Sequence, residues 1–252
     1  MSVNLVKGQK ISLVKEAPQQ GGANAGGPNG SGYGVAAGMA AVAGAAMLAG
    51  AMGRRGVPLN RIVVGLGWDA APRGAGYGAQ PQQQRGLFGS LFGSSSAPRT
   101  VEIDCDASAV LLQGGRYVDR RDLVYFGNLN HYSGAVRHMG DNLTGDGEGD
   151  DEQIVIDLNS IPPQYDKIVI VVNIFNAEKK KQDFGMISNA FVRIVDAQSG
   201  QEFLRYDLSE NYPGMTAMIF GEIYRYNNEW KFAAVGAGTR DGSLSELVQR
   251  YK

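Results

Sequence analysis

Apolar and polar residues alternate strictly over residues 101–112. Val101, Ile103, Cys105, Ala107, Ala109 and Leu111 share one face, and Glu102, Asp104, Asp106 and Ser108 share the other. A period of two is that of a β-strand with one face on a core. Further strand candidates are residues 123–126, 153–158, 167–175, 190–195, 202–208, 217–226 and 230–235, with KISLVK and RIVVGLGW towards the N-terminus. Asn227-Asn228 between the last two predicts a tight hairpin turn, because Asn tolerates positive φ. One helix is expected at the C-terminus, where Ser243 and Glu246 form a capping box before Leu247 and Val248. About ten short strands divided by turn signals predict an all-β fold, a two-sheet β-sandwich with a short C-terminal helix. No strand–GxGxxG–helix or P-loop context is present.

Composition divides the chain in two. Of 36 glycines, 21 lie in residues 1–99. Residues 17–59 and 70–99 are rich in Gly, Ala, Gln and Ser and hold five arginines (Arg54, Arg55, Arg73, Arg85, Arg99) with no acid. The net charge of −1 is therefore a basic low-complexity part offsetting an acidic remainder of 19 basic and 25 acidic residues. Such segments bury too little apolar surface to offset ordering costs of about 1–2 kcal/mol per residue, so both are expected to be disordered or weakly ordered loop inserts in a single domain spanning 1–252. Residues 35–52 carry no charge but are mostly Ala and Gly. They read as disordered or as a small-residue helix packing through GxxxG-like spacing, rather than as a membrane span, since the flanking strands belong to one domain. LFGSLFG at 87–93 is either a sticky linker or a docking or membrane-surface peptide.

A near-neutral balance gives no reason to expect nucleic acid as a partner. The single cysteine, Cys105, excludes an internal disulfide framework, a CxxC pair and a multi-cysteine zinc site. The start, MSVNLVKGQK, lacks a secretory apolar region, so a cytoplasmic protein is the expectation.

The chemistry concentrates in residues 140–152, GDNLTGDGEGDDE. Six of these are acids (Asp141, Asp146, Glu148, Asp150, Asp151, Glu152) and none is basic. Carboxylates gathered this densely repel unless solvent or a cation neutralises them, so the segment is either a solvated turn or a metal loop. Ca²⁺ accepts about 6–8 oxygens from carboxylates, amides and carbonyls, whereas Mg²⁺ keeps its waters and needs fewer acids. Gly145, Gly147 and Gly149 permit the tight path. The strand period places Asp104 and Asp106 on one face, able to complete such a site. The loop is not an EF-hand: counted from Asp146, position 6 is Asp151 instead of Gly and position 12 is Asp157 instead of Glu.

In order, VNLVKGQKISLVKEA, GLGWDA, DCDASAVLL, GDNLTGDGEGDDE, NAFVRIVDAQSGQEFLRYDLSE and TAMIFGEIYRYNNEWKFAAVG closely resemble the TerD-like tellurium-resistance and calcium-binding stress protein family. The resemblance implies a β-sandwich binding Ca²⁺ through the acidic loop and the neighbouring Asp-x-Asp strand. It further implies a place in cytoplasmic, often membrane-associated, bacterial stress complexes. Its Asp-x-Asp motif falls on Asp104 and Asp106, with Cys105 in place of the usual leucine. Its acidic motif falls on Asp141, Asn142, Asp146, Glu148, Asp150, Asp151 and Glu152. Asp183-Phe184-Gly185 matches a turn near the site, adding Asp183 to the implied metal set, and Asp69 of GWD is an outer carboxylate. The family joins these strands through short loops where this chain carries its two inserts.

Simpler roles fit the remaining candidates. Cys105 faces the core and is expected to be inert. His131 and His138 are seven apart and face opposite ways within a strand. Asp104 and Asp106 stand too close along one strand to flank a substrate as an acid/base pair. Lys179, Lys180 and Lys181 read as a solvated hairpin end, with a contact to an acidic partner or lipid as the alternative, and Trp68 and Trp230 as packing residues. The expected function is a non-enzymatic calcium-binding interaction module, with other proteins of a stress complex, a second copy or a membrane surface as partners. The alternatives are a metal-dependent hydrolase using the same carboxylates and a self-assembling structural protein driven by the Gly/Ala-rich insert.

Overall fold

The computed structural model describes residues 2–15, 56–70, 103–140, 149–208, 210 and 212–252. The interiors of both inserts and residues 141–148 lie outside this set, and with them the readings of residues 35–52 and 87–93. In chain order the strands are β1 (Val3–Leu5), β2 (Lys10–Ser12), β3 (Val14–Lys15), β4 (Val57–Pro58), β5 (Arg61–Ala70), β6 (Cys105–Leu112), β7 (Leu123–Val124), β8 (Val136–His138), β9 (Glu152–Asp157), β10 (Lys167–Ile174), β11 (Ile187–Asp196), β12 (Glu202–Asp207), β13 (Ala217–Tyr226) and β14 (Glu229–Thr239). Two one-turn helices, α1 (Ala177–Lys180) and α2 (Leu244–Leu247), and three 3₁₀ turns complete the described elements.

Two six-stranded sheets form the fold, ordered β1-β12-β11-β5-β9-β8 and β2-β14-β13-β10-β6-β7. All their strand pairs are antiparallel except β1 with β12. The inward faces of both sheets meet in one apolar core, with Ile62, Val64 and Leu66 from the first and Cys105, Ala107, Ala109 and Leu111 from the second. This is the expected sandwich. Apart from this body, residues Val14–Pro58 form their own unit, in which β3 pairs antiparallel with β4.

Local chemistry sets the turns. Asn227 and Asn228 take φ of 50° and 62°, which closes the β13–β14 hairpin with the twist that such turns match. Ser243 Oγ accepts from the Glu246 N–H at 3.2 Å, and Glu246 accepts from the Gly242 N–H at 2.9 Å, so α2 begins at the expected cap. Trp68 and Trp230 are both buried, as packing residues should be.

Three local expectations need correction. The face of β6 bearing Asp106 and Ser108 is buried, because Leu247 and Val248 of the C-terminal segment cover its continuation at Val110 and Leu112. The lysine run is no hairpin end: β10 and β11 belong to different sheets. The crossover contains α1, bounded by left-handed Asn176 and Lys181. β8 carried too short a pattern to be foreseen.

Candidate functional site

The Asp-x-Asp strand and the end of the acidic loop meet at one corner of the sandwich. β6 begins there in one sheet, and β9 begins in the other as residues 149–152 leave the loop. The Ala107 N–H donates to Glu152 Oε2, and Ala107 O lies 3.2 Å from His138 Nε2. The strand β7 pairs with β6 only at Ala109 and Val110. Beyond it, side chains of β8 and β9 take up the ladder groups of Ala107 that a strand would otherwise pair. Glu152 is thus buried between the sheets and ties the loop's end to the residue after Asp106.

Cys105 reports the field at this corner. Burial pushes its thiol well above the usual range, and the charges of Asp106, Glu152, Asp104 and Asp151 push it further. Four of the ten expected metal residues therefore act on this thiol. A raised thiol pKa also makes the expected inert role of Cys105 concrete.

Their individual contacts differ. Asp104 Oδ2 faces Lys180 Nζ at 3.3 Å, while its Oδ1 is buried with no hydrogen-bond partner. Asp106, only 3% exposed, accepts from Asn173 Nδ2 at 3.2 Å. Asp151 Oδ2 accepts from the Trp68 N–H at 2.8 Å. Asp150 turns towards β5 and β11, where Arg193 grips it with Nε at 2.6 Å and Nη2 at 3.1 Å. Gly65 clears its berth, since a Cβ there would lie 2.2 Å from the Asp150 carboxylate. Asp183 caps a 3₁₀ turn over Phe184–Met186, its Oδ1 accepting from the Gly185 N–H at 2.8 Å. Asp69 is exposed and accepts from Asn189 Nδ2 at 2.7 Å. Asp141, Asn142, Asp146 and Glu148 lie outside the described residues. Among the described residues no three His, Cys, Asp or Glu side chains gather as a metal centre.

Pattern reading missed Asn173, Lys180, Arg193 and His138 as parts of this corner. Asn173 had a signal: it is the lone polar residue in the run IVIVVNI, and Arg193 likewise interrupts FVRIV. Of the two histidines, His138 joins Glu152 at 3.5 Å. His131 sits apart, with Ser133 Oγ at 2.7 Å and Asp122 Oδ1 at 3.5 Å.

A two-sheet sandwich with a carboxylate-lined corner between an Asp-x-Asp strand and an acidic loop defines the class of this protein. The chain belongs to the TerD family: the TerD domain model matches residues 52–251. It is 49% identical over 193 residues to the stress response protein SCP2 of Bacillus subtilis, covering 77% of this chain and 90% of that one. It is 40% identical to general stress protein 16U of the same organism, over 100% of this chain and 97% of that one. It is 39% identical to the tellurium resistance protein TerD of Serratia marcescens, over 99% and 97%. The fold also matches a crystal structure titled an unknown-function protein, SAV2460, with a TM-score of 0.52 at 19% identity, covering 74% of this chain and 94% of that one. Among the described residues no helix is long and apolar enough to cross a membrane.

Proposed function

We propose that this chain is a non-enzymatic calcium-binding module of a bacterial stress response. The observation that carries the reading is Asp104 Oδ1, buried and without a hydrogen-bond partner, just ahead of the strand that bears Asp106. A buried carboxylate oxygen lacking a donor suits a cation, and an all-oxygen set suits a hard one. Asp104 and Asp106 would hold the ion together with Asp141, Asn142, Asp146 and Glu148. Calcium would supply positive charge that neutralises the corner. Asp150, Asp151 and Glu152 serve instead to fix the loop's end, through Arg193, the Trp68 N–H and the Ala107 N–H.

Relatives named for general stress and tellurium resistance support the stress-response role. By this reading the protein is cytoplasmic or peripheral at a membrane. Ion occupancy is linked to binding of another protein or a second copy, and the arginine-bearing inserts act as tethers. The test is calorimetric titration of chelator-stripped protein with Ca²⁺ and, separately, Mg²⁺. Expected is a calcium dissociation constant of about 10⁻⁷–10⁻⁵ M, abolished by Asp104→Asn or by Asp146→Asn/Glu148→Gln in folded protein. No heat, together with no thermal stabilisation where linkage requires about 2.7 kcal/mol at a hundredfold excess over the dissociation constant, would overturn the reading.

A further inference from the structure

An open groove of about 830 Å³ runs over the outer face of the sheet that contains β6 and β10, beside the C-terminal segment. That volume falls in the small-molecule range of about 300–1,000 Å³. Its floor is Asn173 and Asp106, directly paired across β10 and β6. Asn173 is 8% exposed. Its Nδ2 donates to Asp106 Oδ2 at 3.2 Å, and its Oδ1 is buried without a partner. A buried amide oxygen with no donor, lining a groove, points to a ligand that supplies one. The walls are aromatic: Tyr125, Phe126 and Phe175 stand edge to face, with centroids 5.3 and 6.2 Å apart. Phe126 and Phe175 remain 42% exposed, leaving ring surface for a guest. At the rim Arg121 is engaged with Asp119 at 2.8 Å, while the exposed Arg120, together with Lys252, also lines the groove.

We propose that this groove binds a small molecule with a flat ring, N–H donors on one ring edge and an anionic group at the far end, the chemistry of a guanine-type nucleotide. The floor's unpartnered group is the amide oxygen of Asn173, an acceptor set beside the Asp106 carboxylate. A ring edge presenting adjacent N–H donors complements it, whereas a ring nitrogen carrying a lone pair at that place meets repulsion. The ring lies against the aromatic walls, and the anion is held by a guanidinium that binds phosphate in a fork. None of this rests on calcium binding, although Asp106 is common to both sites.

The test is calorimetric titration of the full chain in chelator, with guanosine 5′-monophosphate, adenosine 5′-monophosphate, guanosine and inorganic phosphate as probes. Guanosine monophosphate is expected to bind at least tenfold more tightly than adenosine monophosphate and than phosphate alone. The exposed substitution Arg120→Glu is expected to weaken guanosine monophosphate at least tenfold while sparing guanosine. Phe126→Ala, on an exposed wall, is expected to weaken both. Absence of binding, equal affinity for the two nucleotides, phosphate binding as tightly as the nucleotide, or indifference to Arg120→Glu each overturns the proposal. Repeating the series in Ca²⁺ separates the two readings, because nucleotide binding in chelator stands even if no calcium is taken up.

Discussion

Removing the Arg193 guanidinium strands a carboxylate. The Asp150 side chain is 1% exposed, and it receives Arg193 Nε at 2.6 Å, Arg193 Nη2 at 3.1 Å and Gln153 Nε2 at 3.0 Å. Arg193→Met keeps an unbranched stem over β11 but leaves the charge with one amide donor. Breaking a buried pair from one side costs about 3–5 kcal/mol. Arg193 is itself 29% exposed, so water reaches this side of the pair and the lower end, about 3 kcal/mol, is expected. At about 2–4 °C per kcal/mol for a domain of this size, Tm falls by roughly 6–12 °C. Asp150→Asn added to Arg193→Met removes the charge and keeps the shape, so the double variant is more stable than Arg193→Met alone. Urea denaturation of the four proteins of the cycle, with calorimetric melting, measures both. A loss below about 1 kcal/mol in Arg193→Met, or a double variant no more stable than that single one, refutes the argument.

Gly67→Ala puts a Cβ 2.4 Å from the Phe191 ring, so overpacking lowers stability by about 1–3 kcal/mol in urea titration; a neutral result shows that the ring moves freely. Burial depresses the His131 imidazole below its usual 6.5, more than the contacts with Asp122 raise it, so the fold prefers the neutral ring. Stability is then complete above pH 6.5 and declines as pH falls below 6.5, levelling once the folded pKa is passed; an NMR titration of His131 with a midpoint at or above 6.5 contradicts this. The Cys105 thiol, buried and raised by surrounding acids, is expected to react with a disulfide reagent at pH 8 only after unfolding, and fast labelling of native protein would show the corner to be open.

The strand framework was legible because period-two alternation and turn residues are local signals. The hairpin at Asn227-Asn228 and the cap at Ser243 followed from single residues acting on their own backbone. What the pattern could not show is which face a second layer covers. Asp106 looked solvent-facing because alternation reports two faces, whereas the second face is buried too, with the distant Leu247 and Val248 packed on Val110 and Leu112 farther along it. Among the loop's acids Asp150 meets Arg193, 43 residues away in sequence, while Asp183, which the family resemblance added, caps its own turn. Partner choice among carboxylates is decided by long-range packing, which spacing does not encode.

The ten-residue strand β5 lies in the middle of its sheet, between β9 and β11, with one insert before it and the other after it. Its earlier partner, β9, begins at residue 152 and its later one, β11, at residue 187. On the ribosome, RIVVGLGW therefore emerges long before anything exists to pair with it. Lengthening the loop after β5 adds little to the equilibrium cost of closure, about 0.6 kcal/mol per doubling, but it lengthens this wait. The uncharged β-prone run of seven residues, 62–68, waiting unpaired, is a seed for aggregation, and Arg61 and Asp69 at its borders stand as charged gatekeepers against that outcome. The insert after β5 thus shifts part of the burden of this fold from thermodynamics to the timing of synthesis.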